Sequence, residues 1–269
     1  MTMKITPLAA VLALGALTAC SDSEPPAFKP VLPVSAGQPV RQVTHRGNSE
    51  QNYNWTFTYS KERLTRAEGT LTGHNASSSF NYVSTLGYGN KKVTVTNSSG
   101  NTCLVELNAA GYIGQMQVNR NQYYFYYDVA GHLTSWKKVI YDNSVGLGQS
   151  YTTSATIDYH NSDIETITYT ETGNPAVTLR FTPTQLPNNN GTLPPTVTKE
   201  LGMLGFEHLY YAGLLGRPTA HLVKRIDYEF AEPSRNYGVD FEYSLTGNNV
   251  ELCNYRNLDG TPASIIYDY

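Results

Sequence analysis

Cysteine, charge and catalytic motifs are all scarce in this chain of 269 residues. Charged residues make up 15%, and 19 Lys and Arg stand against 22 Asp and Glu, with no basic run. A mildly acidic surface without clustered Lys or Arg has no electrostatic hold on a phosphate backbone, so nucleic acid is excluded as a partner. There is no HExxH or Cys/His cluster, no GxSxG elbow and no phosphate-binding glycine loop. The six histidines, at 45, 74, 132, 160, 208 and 221, are scattered. These absences remove the usual sequence signs of metal, serine or phosphate chemistry, and the chain reads as a non-enzyme. Long apolar runs are missing too. Leu8 to Leu17 falls well short of the ~20 residues that cross a bilayer as a helix.

That short run has a different use. Lys4 precedes it and Leu17-Thr18-Ala19-Cys20 follows it, which is the form of a bacterial secretory signal ending in a lipobox. Residues 1–19 are therefore expected to be removed, with Cys20 taking the lipid that holds the protein to the membrane. Residues 20–38, rich in Pro, Ser and Ala, suit an extended tether, and 39–269 a single β domain. The acidic Ser21-Asp22-Ser23-Glu24 resembles the sorting signal of lipoproteins displayed on the outer membrane, facing the exterior. Of the three cysteines, Cys103 and Cys253 then remain. Outside the cytoplasm a disulfide between them is permitted, as are two separate buried thiols.

What the chain has in abundance is tyrosine, 21 residues against 8 Phe and 2 Trp. Aromatic and β-branched residues alternate in short runs punctuated by Gly and Asn, the pattern of strands joined by tight turns. Leu107-Asn108-Ala109-Ala110-Gly111-Tyr112-Ile113 and Tyr127-Asp128-Val129-Ala130-Gly131-His132-Leu133 share one spacing. In each, Asn or Asp starts the turn and Gly takes the positive-φ position. Tyr243 to Gly247 is a looser copy, and Tyr59–Leu64 and Tyr159–Ile164 are versions without the glycine. Locally these turns resemble the tyrosine–aspartate repeats of large bacterial surface proteins. Serial hairpins predict an all-β antiparallel meander, too long to stay open and so curled or barrel-like. One segment departs from this. Leu201, Leu204, His208, Tyr211, Ala212 and Leu215 recur at helical spacing, predicting one short helix near 199–215, with His208 packed against the sheet.

The lipobox, the Tyr-rich hairpins and Tyr211-Ala212-Gly213-Leu214-Leu215-Gly216 running into His221-Leu222 together resemble a family of uncharacterised bacterial lipoproteins with a porin-like β fold. The resemblance implies architecture and location, and no catalytic residue. The terminal Tyr269 is common in outer-membrane barrels. Runs such as Thr56-Phe57-Thr58-Tyr59, however, set Thr opposite the apolar side and lack the apolar outer face of a spanning strand.

Two clusters are candidate sites. Tyr124, Tyr126 and Trp136 fall on one face if Tyr124 pairs with Trp136 across the Gly131 turn, an aromatic platform on which a sugar ring could stack; the alternative buries both faces. Asp227 and Glu229 on one run, Asp240 and Glu242 on the next, and Glu251 beyond them alternate with apolar residues. Pairing Asp227 with Glu242 and Glu229 with Asp240 puts like charges opposite one another. Such a face invites a cation, with calcium conceivable, or is simply solvated. No other cofactor is implied. The resulting expectation is a lipid-anchored binding protein for a glycan or other nutrient. A structural or adhesin component of a surface assembly, with a protein ligand, comes second, and an acid-based glycoside hydrolase third.

Overall fold

The computed structural model describes residues 37–48, 52–72, 81–98, 100, 102–142 and 149–269. Cys20, the signal segment and most of the tether lie outside the described residues. Seventeen strands follow in chain order: β1 Gln42–Arg46, β2 Asn52–Ser60, β3 Arg63–Thr72, β4 Asn81–Gly89, β5 Lys92–Asn97 and β6 Thr102–Leu107. Next come β7 Ile113–Val118, β8 Asn121–Tyr127, β9 Leu133–Asp142, β10 Gln149–His160, β11 Asp163–Glu171 and β12 Val177–Pro187. After a long insertion carrying helix α1 (Glu207–Tyr211), β13 His221–Glu229, β14 Tyr237–Asp240, β15 Glu242–Thr246, β16 Asn249–Arg256 and β17 Pro262–Asp268 complete the sheet.

The all-β meander expected from the hairpin rhythm is what forms, and it curls into a barrel. Successive strands pair antiparallel, β14 and β15 being two halves of one run broken at Phe241, and β1 pairs with both β17 and β2 to join the ends. The nearly closed ring leaves little unpaired strand edge among the described residues.

Local chemistry sets the turns. Asn108 and Asp128 each accept backbone N–H bonds through the side chain, and Gly111 and Gly131 follow at φ +92° and +93°. The versions without glycine use two consecutive left-handed residues, Lys61-Glu62 and Asn161-Ser162, each beside a β-bulge. Two further copies of the Asx–Gly loop, Asn188–Gly191 and Asn257–Gly260, show the same hydrogen bond from the glycine N–H to the Asn carbonyl.

Side chains alternate across the wall with apolar residues inside. On β2, Trp55 and Phe57 are buried while Thr56 and Thr58 are exposed; on β3, Leu64 and Ala67 are buried and Arg66 and Glu68 exposed. A spanning barrel needs the reverse, an apolar band outside and a polar interior. The likeness to a porin is one of shape, with the apolar face turned inward.

The interior is filled by the insertion between β12 and β13. It enters after Pro187 and leaves before His221 at the same end of the barrel, so it is a plug. Leu193, Val197, Leu201, Met203, Leu209, Tyr210, Tyr211, Leu214 and Leu215 on it are buried. It bonds to the wall around much of the ring: Ile113 N–H to the Leu214 carbonyl at 2.8 Å, Arg217 N–H to Gly131 at 2.8 Å, and Trp136 Nε1–H to Glu200 at 2.7 Å. Both tryptophans lie against glycines. A Cβ on Gly69 would sit 2.7 Å from the Trp55 ring, and one on Gly202 would sit 2.4 Å from Trp136.

The helix is shorter than the periodicity predicts. Only Glu207–Tyr211 is α-helical, because Gly202 and Gly205 before it and Gly213 and Gly216 after it take left-handed φ and turn the chain. The apolar spacing reflects burial on all sides rather than one packed helical face.

Candidate site at the barrel mouth

The plug does not reach one rim of the barrel. There the start of β4, the end of β5, the start of β6 and the end of β7 stand above the tip of the plug, leaving a pocket of about 360 Å³. That volume lies in the range of small-molecule sites. Alternation along each strand decides which side chains face in. Val95, Val105, Met116 and Val118 supply an apolar wall, Tyr53 and Tyr82 present rings, and Phe206 and Leu209 come from the plug. Asn97, Ser98 and Asn119 add amides and a hydroxyl near the rim, while Thr102 and Gln117, out of phase with Cys103 and Met116, turn their side chains to the outer face. Among the described residues no Asp, Glu, Lys or Arg lines the pocket.

His208 lies at the base. It is fully buried, its Nε2 is 3.3 Å from Ser84 Oγ, and its ring lies 4.8 Å from Trp55 and 5.9 Å from Tyr82. Its Nδ1 has no hydrogen-bond partner among the described residues. Burial pushes the imidazole down to about 3, so it is neutral at physiological pH. Cys103, on the β6 wall, donates its thiol to the Gln117 carbonyl at 2.9 Å, and desolvation raises its pKa.

The residue before His208 faces a different space. Glu207 accepts a hydrogen bond from Trp55 Nε1 at 3.2 Å, its other oxygen has no partner among the described residues, and the residue lines a cavity of about 20 Å³ with His45. Burial pushes Glu207 up to about 7 and His45 down to about 4. One helical step separates the two side chains by about 100°, so adjacent residues look into separate spaces.

The expected aromatic platform does not assemble. A β-bulge at Tyr126/Tyr127 shifts the β8–β9 register by one residue, so Trp136 pairs with Phe125 and Tyr124 with Lys137. A slip of one flips the face. Trp136 points inward, 3% exposed, against Gly202 and Tyr169, whereas Tyr126 is 56% exposed and Tyr124 half-buried on the outside.

The acidic residues do share the outer face, but not in the expected register. Arg225 pairs with Asp240 and Asp227 with Gly238. Arg225 bridges Asp227 and Asp240 at 2.7 Å each, and Arg180 holds Glu229 at 2.7 Å. Glu242 stands opposite Asn254, and Glu251 falls in the irregular part of β16. The like-charge pairs that would have called for calcium are replaced by arginine–carboxylate pairs. Among the described residues no group of three His, Cys, Asp or Glu is placed to hold a metal ion. The permitted disulfide is also absent: Cys103 on β6 and Cys253 on β16 are separate free thiols, with Cys253 fully buried.

The mouth pocket escapes a reading by local pattern because its lining comes from five strands and the plug. The one local signal is the pair Glu207-His208 inside an otherwise apolar segment.

Similar folds are known. The chain matches a porin-like protein from Bacteroides uniformis ATCC 8492 with a TM-score of 0.65 at 16% identity, over 86% of this chain and 98% of that one. It matches a porin-like protein from Bacteroides vulgatus ATCC 8482 with a TM-score of 0.56 at 12% identity, over 86% and 99%. No curated protein matches the chain. The sequence itself matches a family over residues 72–251, well over half its length, and the chain belongs to that family, a domain of unknown function (DUF4595) with porin-like fold.

Proposed function

We propose that this protein is a lipid-anchored binding barrel of the outer membrane, facing the exterior, which captures a small glycan or similar nutrient at its mouth. The observation that carries this reading is the pocket of about 360 Å³ that the described residues form at the end of the barrel opposite the plug's entry. The packed interior and polar outer wall support a barrel that lies in water and is held to the membrane by a lipid on Cys20 rather than by spanning strands. Half-buried rings on an apolar wall, with amides at the rim and His208 at the base, suit a ligand with both C–H faces and hydroxyls.

The hydrolase reading lacks support because no carboxylate among the described residues lines the pocket, and a glycosidase needs a pair of them flanking the bond. The assembly reading rests on exposed apolar residues, but Leu104, Tyr126, Val129 and Leu258 lie apart, on β6, on β8 and in two turns.

Two experiments test the proposal. Metabolic labelling with a fatty-acid analogue should mark the chain, and Cys20→Ala should abolish the label and release the protein from membranes. A glycan array probed with the purified lipidated chain should give binding that Val118→Trp removes by filling the pocket. A blank array, or binding indifferent to Val118→Trp, refutes capture at the mouth.

A further inference from the structure

We propose that His208 is the recognition group of the mouth pocket, and that the pocket takes uncharged saccharides of about disaccharide size while rejecting acidic ones. This rests on the reading of the mouth as a glycan site and adds the substrate class and the residue that sets it. Two independent observations support it.

The first is the charge of the lining. Among the described residues no ionised side chain borders the pocket. A carboxylate or sulfate entering it would leave water without meeting a cation, a desolvation penalty that only pairing offsets. At the rim, the Ser98 hydroxyl and the Asn119 amide offer donors and acceptors suited to neutral hydroxyls.

The second is the unfinished hydrogen bonding at the base. His208 lines the pocket, wholly buried, with Nε2 committed to Ser84 Oγ at 3.3 Å and Nδ1 unpartnered among the described residues. If Ser84 donates to Nε2, Nδ1 carries the proton and needs an acceptor; if Nε2 donates to Ser84, Nδ1 needs a donor. A hydroxyl serves as either, which a methyl group or a carboxylate cannot. Phe206 and Tyr82 lie on the same lining and offer aromatic surface for the C–H face of a sugar ring.

The test is calorimetric titration of the lipidated chain with maltose, lactose and cellobiose, and with the hyaluronan disaccharide as acidic counterpart. At least one neutral disaccharide should bind, with the acidic one at least tenfold weaker. His208→Phe keeps a ring in place and should weaken neutral binding roughly tenfold, the loss of one buried hydrogen bond. If His208→Phe does not fold, ¹⁵N-histidine spectra of the unmodified chain decide, because the Nδ1 resonance of His208 should move on saturation with the neutral ligand. Equal affinity for acidic and neutral sugars, or binding that leaves the Nδ1 resonance unmoved, overturns the inference while the glycan site stands. Array binding confined to acidic glycans does the same. No binding to any glycan overturns both.

Discussion

Gly202 sits in the plug at φ +70°, and a Cβ built on it would lie 2.4 Å from Cδ2 of Trp136. Gly202→Ala therefore meets two separate costs. The left-handed backbone costs an L-residue about 1–2 kcal/mol. The methyl must also displace an indole that cannot easily yield, since its Nε1 is held at 2.7 Å by the Glu200 carbonyl and its face packs near Tyr169. Overpacking of this kind costs roughly 1–3 kcal/mol. The sum is about 2–5 kcal/mol, a fall in melting temperature of about 5–15 °C for a domain of this size. Urea unfolding followed by tryptophan fluorescence measures it. Trp136→Phe has its own cost, but in that background Gly202→Ala should cost about 1 kcal/mol or more less than in the native chain, because the smaller ring leaves room for the methyl. A Gly202→Ala chain within 0.5 kcal/mol of the original, or a cycle with no coupling, would mean that the plug tip does not pack on Trp136 as described.

Three further outcomes are expected. Glu207, raised from 4.5 to about 7 by burial, keeps its proton in the fold after the unfolded chain has lost it; stability is therefore lost as pH rises from about 4.5 to about 7, by an amount on the order of 3 kcal/mol. His45 and His208, lowered to about 4 and about 3 by burial, act oppositely, losing stability as pH falls below 6.5. The difference between Glu207→Gln and the original chain isolates the carboxyl, and parallel pH–stability curves for the two would contradict its burial. Arg225→Gln should lower stability by no more than about 1 kcal/mol, an effect that fades in 1 M salt, as expected of exposed ion pairs; a larger, salt-independent loss would show that Asp227 and Asp240 are not solvated. Tyr126→Ser should leave both stability and array binding unchanged, and a loss of glycan binding would return the site to the outer face of β8.

The hairpins were legible because their chemistry is local. Asn108, Asp128, Gly111 and Gly131 specify their turns within seven residues, and alternation along β2 or β13 sorts side chains to two faces wherever the partner lies. Register across strands was not legible. One bulge at Tyr126/Tyr127 moved Trp136 from the expected platform to the core, and a displaced β13–β14 pairing put Arg225, not an acid, beside Asp240. Bulges depend on how strands twist around a filled interior, and a single hairpin contains no record of that interior. The plug was misread for a related reason. Helical spacing and burial on every side both give closely set apolar residues, and only the left-handed Gly202, Gly205, Gly213 and Gly216 separate the two.

Sequence alone determined the strand-and-turn character of this protein and the polar–apolar alternation of its wall, since each follows from contacts between near neighbours in the chain. Tertiary structure decided that the apolar side would face inward around a plug, that Glu207 and His208 would look into different spaces, and that a pocket would open at one rim. Those features depend on segments far apart in the chain, such as Trp55 and Glu207 at 152 residues, brought together by closure of the ring. Such contacts form only when the whole interior is filled at once.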